Sequence, residues 1–219
     1  KSLKYGCKNS KNMLNIDSGI KIFLKNINTE IKEVATGYDF SFWKPTKNRR
    51  NKNTILTVAN IDNFRTFKRK GLPQFIELAR SLHDFKFTIV GLSKKMILDI
   101  EKPKNITLIG KVNSNKLIEL YSENFFYYQG SIIEGLPNVL CEAMLCECVP
   151  IGNNVFGISD AIGDTGFIFH GFEELYKVKK FLKSNVYLNG KKARERIKKK
   201  YPLSKRVENF KSLLGGAKV

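Results

Sequence analysis

The chain has 219 residues, of which 42% are hydrophobic, so it can bury a sizeable core and is not globally disordered. Lys and Arg number 39 against 20 Asp and Glu, and the formal net charge of +19 attracts polyanions such as nucleic acid, anionic lipid headgroups or phosphorylated small molecules. No run of apolar residues is long enough to span a bilayer.

The first 53 residues show no regular repeat. We expect a helix near residues 2–14 and an extended piece in "EIKEVATGYD" (30–39). The chain begins with Lys1 and no apolar signal segment follows, so we expect a piece of something longer or a processed protein. The run "KPTKNRRNKN" (44–53) is strongly basic, and residues 46–53 are predicted to be a linker.

From residue 54 onward, predicted strands and helices alternate. The strands are apolar runs at 54–60, 86–91, 105–110, 124–130, 149–153 and 166–170. The helices are at 72–83, 94–101, 114–123 and 137–147, and helices rich in Lys and Arg follow from about residue 171. Such alternation predicts an α/β fold with an open parallel sheet, and continuous apolar strands indicate that helices cover both of its faces.

Ligands of an open parallel sheet lie outside the carboxyl ends of its strands. That rule places Asn60, Gly91, Gly110 and the loop 129–137 along one rim of the predicted sheet. Glu134 lies in this loop, so we expect it at a binding site.

The stretch "SIIEGLPNVLCEAMLCECVPIG" (131–152) carries two acids around a predicted helix start. Pro137 suits the first turn of a helix, and Leu136 before it cannot cap, so the first N–H groups lack an evident side-chain partner. Unpaired amides at the positive end of a helix dipole attract an anion, above all a phosphate. Gly135 leaves room for a ligand to approach.

The two acids predict different contacts. Glu134 beside a bare phosphate would repel it, so its carboxylate is better explained as an acceptor for sugar hydroxyls. Glu142 lies about one and a half turns into the helix and would suit a vicinal diol such as a ribose. Together with the helix start they describe a nucleotide-sugar site, although an ordinary loop acid and a solvent-facing helix residue fit the spacing as well.

This stretch resembles the signature of retaining GT-B glycosyltransferases of family four. Glu147 departs from it, because the family usually has Gly two residues before Val-Pro. The segments 34–45, 67–79 and 108–112 also resemble the family in order. The matching signature residues are Glu134, Gly135, Pro137, Glu142, Ala143, Met144, Val149 and Pro150.

The resemblance covers residues 34–170 well and implies two Rossmann-like lobes, of which this chain matches the C-terminal, donor-binding one. The N-terminal acceptor lobe is then missing, and residues 1–45 are its remnant and the interlobe segment. Residues 54–185 would be the Rossmann-like nucleotide-sugar-binding domain, and 186–219 would be C-terminal basic helices.

The resemblance also implies catalytic roles. Glu134 would contact the donor sugar near the reacting carbon, and Lys70 would pair with the diphosphate. Arg65 lies the usual five residues before that Lys, but it falls within an apparent insertion, "IDNFRTF" (61–67), and Asn60 stands where the family's Arg normally follows the strand.

The remaining roles that the resemblance implies concern donor binding. Glu142 would hold the ribose, and Lys111 and Val112 would flank the base. No metal and no cofactor is expected. The backbone from Gly135 through Leu136, Pro137, Asn138 and Val139 would bind phosphate or sugar.

The four cysteines, Cys7, Cys141, Cys146 and Cys148, include no Cys-x-x-Cys pair and have no His nearby, so we expect small buried thiols in a reducing cytosol. The acceptor is expected to be a glycan or a lipid-linked glycan, with peripheral contact of the basic chain at the inner face of an anionic membrane.

Three alternatives to a transferase lobe remain. The first is a nucleotide-sugar-binding module without catalysis of its own. The second is a basic nucleic-acid-binding protein, which no motif supports. The third is a sugar-nucleotide epimerase of similar fold.

Overall fold

The computed structural model describes residues 12–15, 30–33, 36–46, 50–184 and 189–213 of the protein. Two short strands, β1 (Asn12–Asn15) and β2 (Glu30–Glu33), pair in parallel near the start. The extended piece predicted from residue 30 is therefore confirmed over β2. The helix predicted near 2–14 is wrong at residues 12–14, because their backbone pairs with a neighbouring strand, and the rest of that prediction lies outside the described residues.

One parallel sheet of six strands lies at the centre of the described part of the chain. Every neighbouring pair of its strands is parallel. The predicted open parallel sheet is thereby confirmed. In chain order the strands are β3 (Asn51–Ile61), β4 (Lys86–Leu92), β5 (Ile106–Gly110), β6 (Asn124–Gln129), β7 (Val149–Asn153) and β8 (Phe167–Phe169).

Helices cover both faces of this sheet. One face packs against α1 (Phe64–Arg69), α2 (Leu72–Ser81), α3 (Lys94–Asp99) and α7 (Leu175–Lys183). The other face packs against α4 (Ser114–Glu123), α5 (Asn138–Leu145), α6 (Phe156–Ile162) and α8 (Gly190–Lys200), and α9 (Leu203–Leu213) follows α8. Among these described helices, none is long and apolar enough to cross a membrane.

The strand order positions the site. The strands lie in the order β5-β4-β3-β6-β7-β8, so the chain builds outward from β3 in one direction and then returns to build outward in the other. This is the Rossmann order, and it opens a crevice where the direction reverses, between the carboxyl ends of β3 and β6.

The core has two layers because neighbouring strand residues point to opposite faces. Ile55 and Tyr128 belong to the layer under α1 and α2, whereas Leu56 and Tyr127 belong to the layer under α4 and α5. All four side chains are almost fully buried. The strands are therefore apolar on both faces, as their continuous hydrophobic runs predict.

Two short helices occur where the sequence predicts none. α1 falls in the stretch interpreted as an insertion, and the Asn63 side chain caps it by accepting from Thr66 N at 2.9 Å. α6 falls between the predicted strands 149–153 and 166–170, where no helix is predicted, and there Ile158 and Ile162 are fully buried in the core. Tertiary burial outweighs the low helix propensity of this segment.

Two predicted boundaries also shift. The linker predicted to extend to residue 53 is shorter, because β3 already begins at Asn51 and pairs there with Asn124 of β6. α5 begins at Asn138, so Pro137 occupies the N-cap position and not the first turn.

The basic α8 is part of the packed domain. Its Ile197 is fully buried. Arg194 donates to Leu145 O at the end of α5, and Arg196 Nε donates to Ala161 O at 2.8 Å at the end of α6. Cations at these helix ends satisfy carbonyls that lack a partner within the helix and complement the dipole. Part of the basic excess therefore stabilises the fold itself.

Glu147 ends α5 in the left-handed conformation, with φ of 65°. Glu147 N donates to Met144 O and Cys148 N to Ala143 O, each at 2.9 Å, which is the hydrogen-bond pattern of a Schellman motif. Glycine is the usual residue at this position because a Cβ is disfavoured there. Glu147, which stands where the family usually has Gly, thus lies in the turn after α5 and carries backbone strain.

Glu147→Gly should therefore stabilise the protein by about 0.5–1 kcal/mol, because it relieves strain at positive φ and this gain exceeds the added flexibility of the unfolded chain. Urea unfolding would measure the difference. Glu147→Ala keeps the Cβ and is the matched control, and an equal gain from both substitutions would contradict the strain argument.

Candidate functional site

Two loops meet at the crevice between β3 and β6. The turn between α1 and α2 contains Gly71, with φ of 72°, and a Cβ on it would lie 2.1 Å from Gly130 O in the loop after β6. Ile132 N also donates to Arg69 O at 2.9 Å. Only a glycine allows the two backbones to approach this closely, so the contact fixes the loop after β6 against the end of α1.

The contact brings Lys70 and Glu134 together. Lys70 Nζ donates to Glu134 Oε2 in an ion pair, and the two side chains are only 16% and 19% exposed. Ser131 Oγ donates to the same oxygen at 3.1 Å. The arrangement holds one cation for an anionic group directly beside one carboxylate that can accept from hydroxyls.

A buried polar network supports Glu134 from below. Gln129 Nε2 donates to Ser131 Oγ at 2.9 Å, and Gln129 Oε1 accepts from the Tyr127 hydroxyl at 3.3 Å. Asn153 Nδ2 donates to Ser131 O at 3.2 Å. These supporting roles are not predicted by the motif, although polar side chains at the end of an aromatic strand are a visible signal of them.

The start of α5 fits the anion-binding prediction in one respect. Pro137 at the N-cap makes no side-chain hydrogen bond to the helix. Gly135, Leu136 and Val139 are half-buried around it, and Asn138 is exposed. The backbone amides of the first turn are thus not capped by that residue and can receive a ligand oxygen.

Glu142 lies further along the same helix and is half-buried. Burial raises its pKa to about 7, against the opposing effect of the Tyr121 hydroxyl, which donates to Glu142 Oε2 at 3.3 Å. Burial also raises the pKa of Tyr127 well above its ordinary value, and the carboxylates of Glu142 and Glu134 both contribute. Both acids therefore lie near one buried tyrosine.

The other predicted residues occupy the same rim with fewer contacts. Asn60 is exposed near the end of β3, and Arg65 is exposed in α1. Among the described contacts, Arg65 makes none with the pair of Lys70 and Glu134. Lys111 Nζ lies 3.4 Å from Asp62 Oδ1, and Val112 packs against the core under α4 and α5.

The predicted burial of the cysteines is confirmed where the structure describes them. Cys141, Cys146 and Cys148 are free and buried, whereas Cys7 lies outside the described residues. Within the described part of the chain, no group of three or more His, Cys, Asp or Glu residues could hold a metal ion.

Residues 39–202 match the model of the family described as glycosyl transferases group 1, which is more than half of the chain. The chain belongs to this family. The matched range of this group 1 glycosyltransferase chain contains both acids, the ion pair and all of the central sheet. Membership in family four, the retaining mechanism and the position as a C-terminal lobe stay predictions.

Solved glycosyltransferase structures share this fold. A mutant of S. aureus TarM in complex with UDP is 19% identical with a TM-score of 0.80, and the alignment covers 97% of this chain and 46% of that chain. Sucrose-phosphate synthase from Thermosynechococcus elongatus is 15% identical with a TM-score of 0.83 over 97% of this chain and 60% of that one. No curated protein sequence matches the chain.

A third similar structure is Anabaena HepE in complex with UDP and glucose, 11% identical with a TM-score of 0.81, covering 98% of this chain and 65% of that one. This chain therefore spans about half to two thirds of the length of these proteins. The Rossmann-like architecture agrees with them, and identities this low carry the fold alone.

The raised pKa of Glu142 makes the free energy of unfolding depend on pH. Below its ordinary pKa of 4.5 the carboxyl is protonated in both states. Between pH 4.5 and about 7 the unfolded state ionises while the buried carboxyl keeps its proton, so the free energy of unfolding falls across this window and levels off above it. Glu142→Gln should be near neutral at pH 4 and stabilising by about 2–3 kcal/mol at pH 8.

Urea unfolding of both proteins at the two pH values would test this. Glu77→Gln removes one exposed carboxylate from α2 and serves as a control for net charge. The same stability difference at both pH values would show that the burial of Glu142 does not matter to its titration.

Proposed function

We propose that this chain is the donor-binding lobe of a retaining glycosyltransferase that uses a nucleoside-diphosphate sugar. One observation carries the proposal. In a chain of this family, the half-buried pair of Lys70 and Glu134 lies at the carboxyl ends of β3 and β6, where the strand order reverses. A cation and a carboxylate side by side match a ligand that joins a diphosphate to a sugar.

The ion pair resolves the difficulty of a carboxylate beside phosphate. Glu134 alone would repel a diphosphate, but Lys70 between the two charges attracts both of them. Glu134 then accepts from hydroxyls of the donor sugar, and Lys70 with the first amides of α5 stabilises the negative charge that develops on the departing diphosphate. Ser131 holds the carboxylate in place.

The remaining predicted residues take the nucleotide. Glu142, beside the Tyr121 hydroxyl, accepts from the ribose hydroxyls. Lys111 and Val112, at the end of β5, flank the base. Arg65 adds a second cation for the diphosphate if the donor draws its flexible side chain toward the crevice.

UDP is the first nucleotide to test, since TarM and HepE were solved with it. A thermal-shift panel of UDP, GDP and ADP with their nucleosides would show which base this lobe prefers. A ligand at a hundredfold its dissociation constant adds about 2.7 kcal/mol to the free energy of unfolding, which such a panel detects.

We also propose a cytoplasmic setting with a glycan or lipid-linked acceptor and peripheral contact with an anionic membrane. Arg194 and Arg196 bind helix carbonyls, so such contact would use other cations, for example the exposed Lys191, Lys192 and Lys199 of α8. Among the residues that the structure describes, no comparable site favours a nucleic-acid-binding role.

Lys70→Ala should weaken diphosphate binding by about tenfold or more, because a charge-assisted contact contributes on the order of 1.5–3 kcal/mol. Binding of the nucleoside, which lacks phosphate, should not change. Calorimetric titration would measure both, with Lys68→Ala, an exposed lysine in the last turn of the preceding helix α1, as the matched control. Equal losses for nucleoside and diphosphate would assign Lys70 a structural role instead.

This chain alone should bind the donor and transfer no sugar. The described residues build one lobe with its site at one edge, and the acceptor site is proposed to lie on a second lobe. Incubation with the preferred nucleotide sugar and a panel of glycan acceptors would show the outcome. Robust sugar transfer by this chain would disprove the proposal that the acceptor site lies on a second lobe.

A further inference from the structure

Tyr38 connects the segment 36–46 to the start of α5. It is only 5% exposed, and its backbone N donates to Tyr201 O at 3.0 Å at the end of α8. Its ring packs edge-on against the ring of Tyr201, with centroids 6.4 Å apart. The tyrosine is therefore held on both its backbone and its ring, and its hydroxyl has a defined position.

That hydroxyl donates to Asn138 Oδ1 at 2.8 Å. Burial raises the pKa of Tyr38 far above its ordinary value, and the nearby Cys141 and Glu142 add to this effect. The hydroxyl therefore keeps its proton throughout the physiological range and remains a donor to Asn138.

The hydrogen bond fixes which way the Asn138 amide faces. Because Oδ1 accepts from Tyr38, the two N–H groups of Nδ2 lie on the other side of the planar amide. Asn138 is exposed, is the first residue of α5 and does not cap the helix. In the described residues, Nδ2 has no hydrogen-bond partner, so its donors are free at the same helix end as the first backbone amides.

We propose that Tyr38 is a positioning residue that orients the Asn138 amide so that Nδ2 donates to the diphosphate of the nucleotide sugar. This inference rests on the proposed function and adds a residue pair to its site. Asn138 was predicted to contribute its backbone alone, and Tyr38 was not predicted to contribute at all. The buried Tyr38 hydroxyl, 100 residues away in the sequence, thereby determines that the nitrogen of the Asn138 amide, and not its oxygen, faces the ligand.

A merely structural role for this hydrogen bond gives different expectations. If the bond only fastened the segment 36–46 to the domain, its loss would affect the nucleoside and the diphosphate alike, or neither. If it orients Nδ2, its loss affects only ligands that carry phosphate, and the two side chains are energetically coupled.

The experiment titrates whichever of UDP, GDP and ADP binds best, together with its nucleoside, into the whole chain and its variants. Tyr38→Phe keeps the ring and removes the hydroxyl, and Asn138→Ala removes the amide. Asn138→Asp keeps the shape but turns a carboxylate oxygen toward the ligand. Tyr201→Phe is the matched control, since Tyr201 is only 7% exposed, much like Tyr38, and its hydroxyl donates to Asp160 instead of to Asn138.

We expect Tyr38→Phe and Asn138→Ala each to weaken diphosphate binding about three- to tenfold, with no change for the nucleoside. The double variant should bind no more weakly than Asn138→Ala, and Asn138→Asp should lose more than tenfold through charge repulsion. Tyr201→Phe should leave both affinities unchanged.

Three results would overturn the inference. They are additive effects of the two substitutions, equal losses for nucleoside and diphosphate, and a diphosphate affinity unchanged by Asn138→Asp. In each of these cases nucleoside-diphosphate binding by the unaltered chain still supports the proposed function. If the unaltered chain binds none of the three diphosphates, both proposals fail together.

Discussion

The contact of two glycine backbones, Gly71 with Gly130, is the constraint on which the site depends. A Cβ at Gly71 would meet the Gly130 carbonyl at 2.1 Å, so any other residue would push the loop after β6 away from α1. The carboxylate of Glu134 reaches Lys70 only because these loops touch. The paired charges are therefore a product of backbone packing at the crevice and not of attraction across open solvent, where an exposed pair contributes little.

α5 connects this crevice with the rest of the domain. Its first turn and Glu142 face the proposed ligand, while its middle is buried through Leu140, Cys141 and Met144. At its end, the carbonyl of Leu145 accepts a hydrogen bond from Arg194 of α8. The basic C-terminal helix thus holds the far end of the helix that carries the site.

Function and stability oppose each other at this site. The buried carboxyl of Glu142 costs the fold free energy when it ionises, yet an ionised carboxylate is the better acceptor for ribose hydroxyls. The buried network of Gln129 and Ser131 carries a similar liability, because each polar group needs its partner to offset desolvation. Glu147 differs from these residues, since its strain lies in a turn and supports no proposed contact.

The sequence by itself determined the alternating strands and helices, the open parallel sheet, the burial of Cys141, Cys146 and Cys148, and both acids of the motif. Hydrophobic periodicity and motif spacing are local, and they report backbone conformation and burial directly. The sequence did not predict α1 and α6, because both have weak helix propensity. The Asn63 cap stabilises α1, and the burial of Ile158 stabilises α6.

Only the tertiary structure decided which side chains meet. Lys70 and Glu134 are 64 residues apart, and Tyr38 and Asn138 are 100 apart. Strand order and loop contacts bring such residues together, and no local spacing encodes either of them.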